Sequence, residues 1–173
     1  MLKTVAIAIL AGILGGAWVS VPQCAAQANT AVAAPVPTQI LSAKKVFVSN
    51  MGVDAYALPA FKKEQEVDKP YNRFYAAMKT WGRYALVDNP DDADLVFEIR
   101  FVASLAYWGN LATYAPQFGL AIVDAKTHFT LWTMVEPVEG AFRKATWDKN
   151  FSQGMTNLMD DLKKVTATSS ATP

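Results

Sequence analysis

His128 is the only histidine of the chain and Cys24 its only cysteine. Those two counts remove most metal and redox chemistry, because a tetrahedral zinc site needs several nitrogen or sulfur ligands. His128 is also the only imidazole available as a general base. Ser104, Ser152 and Asp124 could be imagined around it, but nucleophilic catalysis needs a matched nucleophile, base and orienting group. No Gly-x-Ser-x-Gly turn exists to present a serine. The expected place for His128 is a turn between two strands. Asp91, Asp92 and Asp94 are hard oxygen donors of the kind calcium takes, yet the further ligands and the turn glycine are missing. They read as turn carboxylates accepting from backbone amides. A pair of carboxylates for glycoside hydrolysis would have to come from Glu98, Glu136 and Glu139. With Arg100 and Arg143 nearby, these residues read as ion pairs on a wet sheet face. No catalytic, cofactor-binding or metal-binding residue is assigned.

The residues Leu105–Gln117 are different. They carry no charge and include Tyr107, Trp108 and Tyr114. They read as a long connection between two strands. Connections lie at the surface, and Trp and Tyr are favoured at binding hot spots. Tyr107, Trp108 and Tyr114 are therefore the candidate binding residues.

The elements that must position these residues follow from periodicity. Lys45–Asn50 is a β-branched run ending in turn chemistry, a strand. Residues 51–69 hold Pro59 and the charged run Lys62–Glu66, which reads as a solvated loop. Pro70 suits the first turn of a helix with Asp68 as its cap. Tyr71, Phe74, Tyr75 and Met78 then fall on one helical face, and Gly82 ends the helix. Ala85–Asp88 is a short strand and Asn89–Asp94 a turn. From Leu95 to Ala103 the chain alternates, with Leu95, Phe97, Ile99 and Phe101 on one face. Phe118–Asp124 and Phe129–Val135 are two further strands joined by a tight connection at Ala125–His128. In the last element, Phe151, Met155, Leu158, Met159 and Leu162 form one apolar stripe of a helix from about Asn150 to Val165. The predicted fold is α+β. It is a two-layer sandwich with a mostly antiparallel sheet of about five strands, in the order strand, helix, four strands, helix, both helices on one face.

At the start of the chain, Lys3 precedes an apolar run, Val5–Leu14, and small residues follow at Cys24–Ala28. A basic start, a short apolar core and a small-x-small site describe a signal peptide. Gly15, Gly16 and Pro22 interrupt the run well before the ~20 apolar residues of a spanning helix. Cleavage is expected after Ala26 or Ala28, which makes residues 1–28 the signal peptide. Cys24 as a lipid-anchored start is the less favoured alternative, since Gln23 stands where a small residue belongs. Residues 29–43 read as an Ala/Pro-rich linker, 44–165 as one α/β domain, and 166–173 as a disordered tail.

Composition narrows the function classes. The chain has 173 residues, with 16 Lys and Arg against 15 Asp and Glu, 52% hydrophobic and 18% charged residues. A disordered chain has low hydrophobicity and high net charge, and a nucleic-acid binder has a basic footprint; neither fits. Removal of the leader takes away Lys3 and Cys24 and leaves a cysteine-free chain of zero formal charge. The 23 residues from Phe101 to Val123 lack a charge, but Gly109, Asn110, Thr113, Pro116 and Gln117 interrupt them, which argues against a membrane span.

Several segments together resemble small secreted bacterial proteins: Lys45-Val-Phe-Val-Ser49, Pro70–Tyr84, Ala93-Asp-Leu-Val-Phe-Glu-Ile99, Leu120–Thr127 and Leu131-Trp-Thr133. At fold level they are similar to the amino-terminal domain of TolB and to the curli-secretion and penicillin-binding-protein-activator lipoproteins. The resemblance covers residues 44–165 and its motifs are structural; it implies an α/β module of the cell envelope and carries no catalytic residue. The expected function is an exported, non-catalytic binding or scaffold module, periplasmic or secreted, without cofactor. Its expected partner is an envelope protein or a second copy of the chain. Membrane contact is expected only through the signal peptide or a lipidated Cys24. The alternatives are a small hydrolase using carboxylates near Glu98 and a subunit that self-associates through an edge strand.

Overall fold

A β-α-β passage sets the sheet. In the computed structural model, which describes residues 34–54, 67–108 and 111–167, a short helix α1 (Thr38–Ser42) leads into strand β1 (Lys45–Val53). Helix α2 (Lys69–Trp81) and the three-residue strand β2 (Ala85–Val87) follow. A 3-10 turn at Pro90–Asp92 leads to β3 (Leu95–Trp108), β4 (Leu111–Asp124), β5 (Thr130–Pro137) and helix α3 (Lys144–Ala167). The sheet order is β2-β1-β3-β4-β5.

The sheet is mixed, where a mostly antiparallel one was expected. β1 pairs in parallel with both β2 and β3, while β3–β4 and β4–β5 are antiparallel. A helical crossover returns the chain to the same end of the sheet, so the strand after α2 runs parallel to β1. β2 is too short to carry the chain back across the sheet, and residues 88–94 bring it past the start of β1. There Asp94 accepts from the amides of Lys44 and Lys45 at 2.8 and 2.9 Å.

The two-layer arrangement holds. Leu95, Phe97, Ile99 and Phe101 are at most 1% exposed, as are Phe74 and Met78 of α2 and Leu158 and Leu162 of α3. Phe74 packs at a tilt against Phe97, with ring centroids 6.5 Å apart, and Phe151 of α3 packs against Phe101 and Phe118 at 5.5 and 4.9 Å. Gly154 lets α3 approach closely, because a Cβ there would stand 2.9 Å from Val138 Cγ2 and 3.3 Å from Phe118 Cε2.

Several boundaries differ from the expected ones. Thr38–Ser42, inside the expected linker, form a helical turn whose Ile40 is fully buried. The Tyr84 hydroxyl donates to the Ile40 carbonyl at 3.2 Å, and Arg83 donates to that of Leu41 at 3.2 Å. Pro35 and Pro37 stop a helix only behind them; Pro37 itself precedes the first turn. α3 starts at Lys144 and continues to Ala167. Thr166, expected in a fraying tail, is buried and donates its hydroxyl to the Lys163 carbonyl. Asp68 holds the N-cap position of α2 but makes no side-chain cap bond; its carboxylate accepts from the Asn50 side chain at 2.9 Å. Gly82 closes α2 in the left-handed conformation, φ 68°, as its residue type predicts. The leader, most of the charged loop after β1 and residues 168–173 lie outside the described residues.

Candidate functional site

The largest departure from the sequence reading falls on the candidate binding residues. Leu105–Gln117 do not form a long loop. They are the outer half of a β-hairpin in which β3 and β4 are 14 residues each and pair without interruption from Leu95↔Asp124 to Trp108↔Leu111. β1 accompanies β3 only as far as Phe101, and β5 accompanies β4 only as far as Gln117. Beyond those positions the described strands pair only β3 with β4. Among the described residues, β3 and β4 thus continue as a two-stranded arm past the positions paired with β1 and β5. Its sequence from Val102 to Gln117 carries no charge.

Register assigns the three aromatics to rows. Residues paired across an antiparallel ladder share a row, and rows alternate along each strand. Leu105↔Tyr114 and Tyr107↔Ala112 continue the row that begins with Phe97↔Ile122 and Phe101↔Phe118. Trp108↔Leu111 belongs to the other row. The ladder therefore brings Tyr107 and Tyr114 into one row and leaves Trp108 in the opposite one. In the sequence, Gly109-Asn110 is a dipeptide of the kind that often joins hairpin strands.

The base of the arm is anchored on both sides. The Asp54 amide donates to the Phe101 carbonyl at 3.0 Å, and its carboxylate accepts from the Ala103 amide at 3.0 Å. On the other side the Val138 amide donates to the Pro116 carbonyl at 2.8 Å. The first turns of α3 sit at the same place, with Trp147 edge-on to Phe101 at 6.2 Å. Lys69 of α2 reaches across to Asp148 at 2.7 Å and lies over the Phe151 ring, while Lys144 meets the other carboxylate oxygen at 3.0 Å. The two lysines hold the Asp148 carboxyl below its ordinary pKa.

The polar residues singled out in the sequence have other places. His128 takes a left-handed turn conformation, φ 59°, after β4. Asp124 organises that turn by accepting from the Lys126 and Thr127 amides and the Thr127 hydroxyl, and the Thr127 bonds foremost hold its pKa down. Asp94 is held down by the two amides it accepts. The Asn89 side chain accepts from the Asp91 amide within the 3-10 turn. Among the described residues no group of three or more acidic, His or Cys side chains is placed to hold a metal ion.

Glu98 and Arg100 lie on the open face of the sheet. Gly119, opposite Arg100, leaves the space its side chain crosses: a Cβ there would stand 2.8 Å from Arg100 Nε. Glu136 pairs with Phe118, hence belongs to the helix-covered row, and accepts from the Asn157 side chain of α3 at 2.8 Å. Glu98 and Glu136 thus stand on opposite faces and do not converge as a catalytic pair.

One feature went unread in the sequence. Between α2 and α3 runs a groove of about 670 Å³, with Trp81, Met155 and Met159 along it and Arg73, Asp160 and Lys163 on its rim. Met155 and Met159 had been assigned to the core by their helical spacing, and they are indeed almost fully buried.

The fold has relatives among solved structures. A DUF4136 family protein from Bacteroides thetaiotaomicron superposes with a TM-score of 0.50 at 12% identity, covering 74% of this chain and 91% of that one. A DUF330 protein from Xanthomonas campestris gives a TM-score of 0.44 at 12% identity, over 69% of this chain and 81% of that one. The lipoprotein GNA1162 from Neisseria meningitidis gives 0.37 at 11% identity, over 68% and 99%. No protein-family model matches the sequence, and no curated protein matches it. At these identities the first of the three establishes a shared fold and nothing about activity. The narrower likeness to TolB and the curli-secretion lipoproteins rests on the sequence motifs alone. No helix among the described residues is long and apolar enough to cross a membrane.

Proposed function

We propose that the protein is an exported, non-catalytic binding module of the cell-envelope compartment, and that Tyr107, Trp108 and Tyr114 on the arm form its recognition surface. The observation that carries this reading is the arm itself: an uncharged ribbon with Tyr and Trp in its sequence, which continues beyond the described residues that pair it to β1 and β5. A two-stranded ribbon gains stability from a third strand or a packed layer, and a bound partner would supply one. Export rests on the leader pattern of residues 1–28. Mass spectrometry of the protein from its native host tests that part; an intact Met1 would refute it.

Against the hydrolase alternative stands the separation of Glu98 and Glu136, which lie on opposite faces of the sheet and do not form a pair. Self-association keeps one favourable observation, because β5 is an edge of the sheet.

The test of the arm is capture from envelope extract with the wild-type chain and with the double variant Tyr107→Ser, Trp108→Ser. Material retained by the wild type and lost by the variant is the expected outcome. Equal retention by both would remove the arm from the function.

A further inference from the structure

We propose that two copies of the chain pair edge to edge, β5 against β5, about a twofold axis at Met134. The inference is independent of the arm. The first argument is the contrast between the two edges of the sheet. Among the described residues β5 has a strand neighbour on one side only, β4, and β2 has only β1. Exposed edges are commonly blunted by short strands, charge or proline. β2 is three residues long, too short to offer a ladder, whereas β5 has eight. From Thr130 to Val135 it holds neither charge nor proline, and Val135 is 57% exposed.

The second argument is the direction of the backbone groups. The Val138 amide donates to the Pro116 carbonyl at 2.8 Å, which makes these two residues a hydrogen-bonded pair. Bonded and non-bonded pairs alternate along an antiparallel ladder. Counted from that pair, Phe118↔Glu136, Leu120↔Met134 and Ile122↔Trp132 exchange bonds, while Gly119↔Val135 and Ala121↔Thr133 do not. The amides and carbonyls of Thr133 and Val135 therefore point away from β4. The register shifts between Ile122 and Val123, which makes Leu131 a bulge and ends the regular edge on that side. Pro137, without an N–H, ends it on the other. The regular edge is thus Trp132–Glu136, with Met134 at its middle.

The third argument is that this edge complements itself. In antiparallel pairing about Met134, Thr133 of each copy meets Val135 of the other, and the outward amides and carbonyls of both are satisfied. Two β-branched side chains then face each other on the open side of the sheet, a favourable cross-strand pair. On the helix-covered side Met134 meets Met134, beside Trp132, and both residue types are partly buried against the core of their own copy. Glu136 falls opposite Trp132, and its carboxylate is already engaged by the Asn157 side chain at 2.8 Å. No like charges are opposed. The neighbouring registers fit less well. An axis at Glu136 opposes two carboxylates, one at Val135 sets Thr133 against Pro137, and one at Thr133 sets Val135 against the bulged Leu131. A twofold pairing uses the same edge on both copies, so it closes at two.

The experiment is sedimentation velocity of the full chain over a concentration series up to about 100 μM, beside the variant Val135→Pro. That substitution removes an outward N–H and leaves the β4–β5 bonds in place. The expected result is a species of twice the chain mass of 18.8 kDa that grows with concentration in the wild type and is lost in the variant. A second reading uses single cysteines in a Cys24→Ser background. Directly opposed residues of a non-bonded antiparallel pair stand about 4.5 Å apart at Cα, within disulfide reach. Met134→Cys should therefore give a disulfide-linked dimer on mild oxidation, while Glu136→Cys, opposite Trp132, should not. This reading stands by itself if Val135→Pro fails to fold. A wild type that stays monomeric throughout, a dimer that persists in folded Val135→Pro, or linkage at Glu136→Cys as readily as at Met134→Cys overturns the proposal. None of these outcomes bears on envelope capture by the arm, so the two readings fail separately.

Discussion

The β3–β4 hairpin is one ladder in two surroundings. Between Leu95 and Phe101 it is flanked by β1 on one side and β5 on the other and covered by both long helices, so alternate residues are sealed from water. Beyond Phe101 and Gln117 the same ladder goes on without those neighbours among the described strands. The charged residues Glu98 and Arg100 that mark the open row of the inner half have no counterpart in Val102–Trp108. What also changes, among the described residues, is that β1 and β5 no longer pair with the ladder. Burial is set by the packing partners, and a strand's own sequence predicts it only where those partners are also present.

This contrast can be broken most severely in the covered half. Phe97→Ala should cost about 3–5 kcal/mol in denaturant unfolding, because it empties a site packed by Phe74 and Tyr84. Val96→Ala, in the half-open row, should cost clearly less. Equal losses would mean that the two faces are not distinct.

A smaller effect is expected where α3 meets the hairpin near the boundary. Gly154→Ala should destabilise by about 1–2 kcal/mol, since overpacking against Val138 and Phe118 exceeds the gain of about 1 kcal/mol in helix propensity. Adding Val138→Ala should recover part of that loss when both variants are followed by thermal unfolding.

At the far end of the covered half, Asp94 gives a pH signature. Its pKa is lowered in the folded chain. The stability it contributes is thus present above the ordinary carboxylate pKa of about 3.9 and is lost as pH falls toward the lowered value. Melting temperature measured against pH should fall less steeply below about pH 4 in Asp94→Asn than in the wild type. Asp124 and Asp148 shift in the same direction and will keep some slope.

The smallest stability change belongs to the arm. If the proposed recognition surface is right, Tyr107→Ser with Trp108→Ser should leave unfolding free energy within about 0.5 kcal/mol, the range of surface substitutions. A large loss would place these side chains under some cover and erase the contrast between the two halves.

The legibility of the molecule divides along similar lines. The core row of β3, the stripes of α2 and α3 and the stop at Gly82 were readable, because local periodicity and residue type determine them. The mixed sheet was not readable from strand patterns alone, since parallel or antiparallel pairing is decided by the path of the chain through α2. The helical turn at Thr38–Ser42 was hidden by flanking prolines; Ile40 is held by Tyr84 and the core, partners remote in sequence. The arm reads as a loop in the sequence because Leu105–Gln117 lacks charge and holds aromatics, features that carry no information on strand pairing. The residues Tyr107, Trp108 and Tyr114 were found by composition, while their separation into two rows emerged only from the register.

The clasp on Ile40 and the arm stand at opposite ends of the sheet. Tension applied between α1 and the arm tip would draw β1 toward its start and β3 toward its end. Because these strands run in parallel and pair from Val46↔Leu95 to Val53↔Phe101, the load slides one strand along the other. Their hydrogen bonds are then stressed together rather than opened one after another from an edge. A chain held at its beginning and gripped at its arm would resist such a pull along its mechanically stronger direction.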